Sequence, residues 1–358
     1  MTKPSLFRSV FLAMAILLAA PLHAGGTKLP EVAGVSWLAG SAVEGGMILG
    51  HAEPGTGLEL DDATLRMAAD GHFIIGFHRD SDDPVRLAVT TPSGNERTVT
   101  FSAGQRTYDI QRIDGLKRDH VTPPQAVLDR IGADSAAVRA ARSREEAGRH
   151  AGDFLKGLDM PVTGRVTGVY GSQRILNGEP RQPHYGIDIA APRGTPVTAP
   201  AGGRVTLVRD LYFSGWTILL THGLGLNSAF LHLDSVTVAE GDEVARGAMI
   251  GTVGSTGRST GPHLDWRLDW QGRRLDAALV RTQLADGSGG GQTAWQGRFS
   301  SSGWDMSAGR SATGWRQRDG RCAAPPAPRH GWPHKPKPDG KSMNSPMAGR
   351  LPIRKRHW

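Results

Sequence analysis

Cysteine is nearly absent: Cys322 is the single thiol in 358 residues. That excludes an internal disulfide framework and every metal site built from paired cysteines. Long apolar runs are as scarce. The one sustained stretch, Val10 to Ala20, is eleven residues, short of the ~20 that a membrane-spanning helix needs. Acidic residues are thin only at one end. Thr282 to Trp358 holds 13 Lys and Arg against 4 Asp and Glu, while the whole chain has a net charge of +8. The remainder is therefore close to neutral, which excludes a globally basic nucleic-acid binder. The same terminal stretch has four Leu, Ile, Val or Phe in 77 residues (Leu284, Phe299, Leu351, Ile353), too few to offset chain entropy by burial.

Glycine (48) and proline (23) are abundant, which favours short strands and turns over long helices. Lys3 and Arg8, the apolar run, Pro21 and the small-residue stop at Leu22-His23-Ala24 have the layout of a secretory signal over residues 1–24, cut before Gly25. The expected mature chain is exported to the periplasm or cell envelope and has no membrane span.

Residues 28–115 read as an antiparallel β-sandwich. Leu65–Ala68 and Phe73–Phe77 flank an Asp70-Gly71 turn, and Val85–Val89 and Arg97–Phe101 flank Pro92–Asn95. His51, His72 and His78 are scattered and read as surface or packing histidines. Residues 122–157 read as a short helical connector, with Pro123-Pro124 at its start and Asp134 capping a second helical stretch. Residues 160–281 return to glycine-punctuated strands, an antiparallel sheet domain, and 282–358 read as a disordered basic tail. The tail's five tryptophans alternate with basic residues; a solvated tail and a contact with anionic polymer both fit.

Three segments of the second strand-rich domain carry the chemistry. His184 and Asp188 are zinc-type donors four apart. On an extended strand they would stand about 13 Å apart, so the chain must bend between them, and Gly186 offers the bend. From His263 to Trp270 the sequence alternates: Leu264, Trp266, Leu268 and Trp270 on one face, His263, Asp265, Arg267 and Asp269 on the other. His232 lies in an apolar strand on the side of Phe230, either a satisfied core histidine or one aimed at a catalytic water. His222 stands at a strand-end turn and reads as structural.

Together these segments resemble the lysostaphin-type (LytM-like) zinc endopeptidases, which cut peptide cross-links in bacterial peptidoglycan. The likeness runs from the entry strand Met160–Val166 through His184 and Asp188, Ala191–Val197, Ala199–Gly203 and the strand ending in His232-Leu233. It continues from Gly241-Asp242 to Gly254–Gly257 and Gly261-Pro262-His263-Leu264. It implies a sheet with a substrate groove flanked by the loops 171–181 and 210–215, one Zn²⁺, and peptidoglycan stem peptides as partner, with no nucleic acid. Carried over by position, His184 and Asp188 are zinc ligands, His232 stabilises the developing oxyanion, His263 orients or deprotonates the attacking water, and position 265 is the third ligand. There the sequence departs from the family: Asp265 stands where the pattern has histidine. Two aspartates and one histidine bring two negative charges to the dication, so the centre is formally neutral instead of singly positive. A neutral centre is a weaker Lewis acid, and the expectation is a competent but retuned site. The alternatives are an inactive member that regulates cell-wall amidases, or a wall-binding module.

Overall fold

Val85, Leu87 and Val89 are buried while Arg86 and Thr90 are exposed, the period of two that puts one face of a strand against a core. The computed structural model describes residues 28–113, 127–144 and 148–287. The expected signal segment, the Pro123-Pro124 helix start and the basic tail from 288 lie outside the described residues. Among the described residues no helix is long and apolar enough to cross a membrane.

In the N-terminal region β1 (Val35–Gly40), β2 (Met47–Ala52) and β5 (His72–Gly76) form one sheet. A second contains β3 (Gly57–Leu60), β4 (Ala63–Thr64), β6 (Val85–Thr90) and β7 (Glu96–Phe101). β6 and β7 pair from Val85↔Phe101 to Thr90↔Glu96 around the expected turn. At Asp70-Gly71 the Ala68 N–H donates to the His72 carbonyl at 2.8 Å, but β5 takes β2 as its main partner. Phe73, Ile74 and Ile75 are all buried, so this strand needs cover on both faces. Trp37 joins the two sheets, edge-on to Phe73 at 5.9 Å and to Phe101 at 6.1 Å.

The second region is built on one large sheet. Its central path runs β14 (Gly203–Leu211), β15 (Gly215–Gly223), β16 (Leu226–Val236), β19 (His263–Trp270), β12 (Ile187–Ala190) and β9 (Arg165–Gly168), all antiparallel. β17 (Glu243–Val244) edges β14, β13 (Pro196–Thr198) and β18 (Met249–Val253) fold against β16, and β20 (Arg273–Leu275) pairs with β19. β8 (Ile110–Ile113) leaves the sandwich to run parallel to β10 (Gln173–Leu176), whose other neighbour is β11 (Glu179–Pro180).

The two faces of this sheet differ. One buries Phe230, Leu264, Trp266, Leu268 and Trp270 at 1% exposure or less. Against the other, Ala137, Val138 and Ala141 of α1 (Leu128–Arg142) cover Leu207, Leu219 and Leu231. The rest of that face carries the candidate site. Asp134 does not cap a second helix, as expected, because α1 is continuous through it. Its buried carboxylate accepts the Tyr212 N–H at 2.8 Å and lies 3.6 Å from Arg209, so it ties the helix to the β14–β15 turn. α2 (Ala277–Gly287) spans the boundary expected after Arg281. Leu284 is buried in the core, and the Gln283 amide accepts the Met47 N–H at 3.0 Å and donates to Ser41 at 2.9 Å.

His222 is fully buried. Its Nδ1–H donates to the Gly202 carbonyl at 3.0 Å and its Nε2 accepts from Ser228 at 2.8 Å, a fully satisfied neutral ring. Burial pulls its pKa from 6.5 to about 4, against a smaller opposing effect of the Gly202 bond. The unfolded chain therefore takes up this proton first. The stabilising effect is complete above pH 6.5 and is lost as the pH falls toward 4, about 3 kcal/mol over the window. Thermal melts across that window should lose less stability in His222→Gln than in the native chain; equal losses would refute the assignment.

Candidate metal centre

Asp188 on β12 stands directly opposite Asp265 on β19, and Ala190 opposite His263. Two carboxylates facing each other across an antiparallel pair repel, unless a cation lies between them. His184 precedes β12, so the bend foreseen between the donors is met by leaving the strand altogether. Its N–H donates to the Ser172 carbonyl and its carbonyl accepts the Gly171 N–H, both at 2.8 Å. Its Nδ1 lies 3.2 Å from the Val169 carbonyl. A carbonyl only accepts, so Nδ1 carries the hydrogen and the Nε2 lone pair faces inward.

That lone pair meets carboxylates. Nε2 is 3.1 Å from Asp188 Oδ1 and 3.5 Å from Asp265 Oδ2, buried and without hydrogen-bond geometry to a partner. The three donor atoms lie within 4.8 Å of one another. Burial pulls the His184 ring down, yet the carboxylates more than offset this and raise it to about 10, so at neutral pH a proton sits on Nε2, and a metal ion would have to displace it to reach the lone pair. The pocket selects positive charge. One imidazole and two carboxylates are a zinc donor set, and the residues present fit that ion.

Two glycines make the room. A Cβ on Gly186 would stand 2.2 Å from Asp265 Oδ1, and one on Gly168 would stand 2.2 Å from Asp188 Oδ2. Gly186 was expected to supply a bend; its observed contribution is space for a ligand. Gly168 was not singled out from the sequence, since a glycine opposite an aspartate is visible only once β9 and β12 are in register.

His232 and His263 lie side by side, ring centroids 4.8 Å apart. Regular alternation would have buried His232 beside Phe230. Instead the chain adopts φ +64° at His232, and the β15–β16 register skips between the Ile218↔Phe230 and Trp216↔Leu233 pairs. This bulge turns the ring back to the face that carries His263. His232 Nδ1 donates to the Thr256 carbonyl at 2.8 Å and His263 Nδ1 to the Gly261 carbonyl at 2.8 Å. Both rings therefore present Nε2, and His263 Nε2 lies 3.7 Å from Asp188 Oδ1. Burial holds the His232 pKa below its ordinary value, against the Thr256 bond. The two loops expected to flank a groove both touch the site: Gly171 through His184, and Ser214, whose carbonyl accepts the His232 N–H at 2.9 Å.

Arg267 changes the charge balance. Its Nε lies 3.0 Å from both oxygens of Asp265 and its Nη2 lies 2.6 Å from Oδ2. Asp265 is 2% exposed. Burial pushes its carboxyl up, but Arg267 and His184 outweigh burial and hold it far below the usual carboxylate range. The expected neutral centre counted ligands alone; with Arg267 included, the set is singly positive with a dication. The sequence placed Arg267 on the face of Asp265 without pairing them. On the far side Asp269 bonds Arg274 at 3.0 Å, with Arg142 of α1 at 3.9 Å. His78 of the sandwich accepts the Arg274 N–H at 3.0 Å and packs on Tyr185, beside His184.

Residues 182–277 match the profile of peptidase family M23. The chain is 39% identical over 103 residues to peptidoglycan DD-endopeptidase ShyA of Vibrio cholerae, covering 29% of this chain and 24% of that protein. It is 42% identical over 97 residues to DD-carboxypeptidase/endopeptidase Mpg of Neisseria meningitidis, covering 27% and 22%. The chain thus spans about a quarter of the length of the curated relatives it matches. Among solved structures, a putative peptidase M23 from Pseudomonas aeruginosa is 29% identical, covers 66% of this chain and 93% of its own, and superimposes with a TM-score of 0.49.

Proposed function

We propose that the chain, whose residues 182–277 match the profile of peptidase family M23, is an exported zinc endopeptidase that hydrolyses peptide cross-links of bacterial peptidoglycan. The observation that carries the reading is the gathering of donor atoms from His184, Asp188 and Asp265 within 4.8 Å of one another, with the adjoining rings of His232 and His263 held through Nδ1. The relatives' names supply the substrate class, and cross-links containing diaminopimelate are the expected bonds. A periplasmic or envelope location follows from that substrate and from the signal-like start of the sequence.

His184, Asp188 and Asp265 would hold the zinc, which when bound polarises a scissile carbonyl and makes water more acidic. His263, with Nδ1–H engaged by Gly261, takes a proton from the attacking water at Nε2. His232 has the same tautomer, fixed by Thr256. It donates to an oxyanion only after Nε2 has gained a proton. The loops around Gly171 and Ser214 border the path of an extended peptide.

Incubation of the purified chain with sacculi should release new amino termini, read by mass spectrometry. Chelation should remove the release and added zinc restore it. Release that persists in His263→Ala, or none from the native chain, would end the proposal. Release seen only when an amidase is added would support the regulatory alternative.

A further inference from the structure

Asp265 is a buried carboxylate that would have to serve two masters. Arg267 grips it from one side with Nε and Nη2, and His184 Nε2 approaches Oδ2 at 3.5 Å from the other. A carboxylate has about four lone-pair positions, so the two demands are compatible. We infer that Asp265 and Arg267 act together as one net-neutral donor in the place where the family pattern has an imidazole. In this role Arg267 is a positioning residue for the metal ligand. The inference rests on the zinc reading above.

Three features of the site support it. Asp265 and Arg267 are i and i+2 on one strand, so their side chains leave the same face. The aspartate is shorter than histidine and has no ring hydrogen to anchor it as Val169 anchors His184; the guanidinium fork supplies that anchor. Finally, Asp188 directly opposes Asp265, so an uncompensated Asp265 would leave the site with an excess negative charge that a neutral imidazole would not bring. The fork engages both oxygens of Asp265, while among the described residues no guanidinium bonds Asp188, which identifies Asp265 as the ligand whose charge is masked.

The consequence is a reversal of sign. With aspartate at 265, the guanidinium orients a ligand. With histidine there, the same guanidinium would face an imidazole and add an unmasked positive charge beside the dication. The experiment measures zinc affinity of the full chain by competition with a chromogenic chelator, for the native protein, Arg267→Met, Asp265→His and the double variant, with near-ultraviolet circular dichroism confirming folding. Arg267→Met is expected to weaken zinc at least about tenfold in the native background and to strengthen it in the Asp265→His background. Arg267→Lys, which keeps the charge without the fork, should recover part of the native affinity. A purely structural arginine would shift both backgrounds in the same direction, and that result overturns the inference. So does tighter zinc in Arg267→Met alone, which would make the guanidinium a competitor for Asp265. Failure of the native chain to take up stoichiometric zinc would instead overturn the metal reading itself, and this inference with it.

Discussion

Alanine at Gly186 is expected to empty the metal centre while leaving the fold in place. The added Cβ would stand 2.2 Å from Asp265 Oδ1, 2.6 Å from Arg267 Cγ and 2.9 Å from the Trp266 carbonyl. Trp266 is fully buried on the opposite face, so β19 cannot retreat, and the carboxylate and its arginine must move. A ligand displaced by about 1 Å costs about 10²-fold in rate, and here the displacement falls on the metal as well. Metal analysis should show zinc well below one per chain, and release of amino termini should drop by about two orders of magnitude. Circular dichroism should stay native. Full zinc occupancy in Gly186→Ala would show that Asp265 is not a ligand.

His263→Ala should separate chemistry from binding. The imidazole is held by the Gly261 carbonyl and lies 3.2 Å from Ser259 Oγ, and its Nε2 is beyond bonding distance of Asp188 at 3.7 Å. Removing it leaves His184, Asp188 and Asp265 untouched. Zinc should remain, while hydrolysis falls by about 10²–10⁴-fold, the usual contribution of a positioned base. Loss of the metal in this variant would move His263 from proton transfer to the ligand set.

Much of this was legible in the sequence because strand alternation is a local signal. His263–Trp270 reads directly as one apolar and one charged face, and the sheet uses it that way. The β6–β7 hairpin was legible for the same reason. His232 was not, because a bulge with positive φ inverts its side and alternation has no symbol for that. The glycine cradle was hidden because close approach is a property of register. Arg267 was in plain view on the correct face, but the ligands were counted without their neighbours. Asp134 looked like a cap because aspartate favours helix starts; its actual partner is the Tyr212 N–H, 78 residues later. Gln283 and Leu284 fell in a segment that composition marks as unable to fold alone, yet they find partners in the sandwich and the core.

The loan of β8 to β10 and the bonds from Gln283 to Met47 and Ser41 have an evolutionary corollary. A module joined to its neighbour by a plain linker can be exchanged by recombination. This one cannot be lifted out without stripping β10 of its parallel partner and baring one side of α2. Inheritance should therefore have kept the sandwich and the sheet as a pair, with substitutions at their seam tolerated mainly in matched sets.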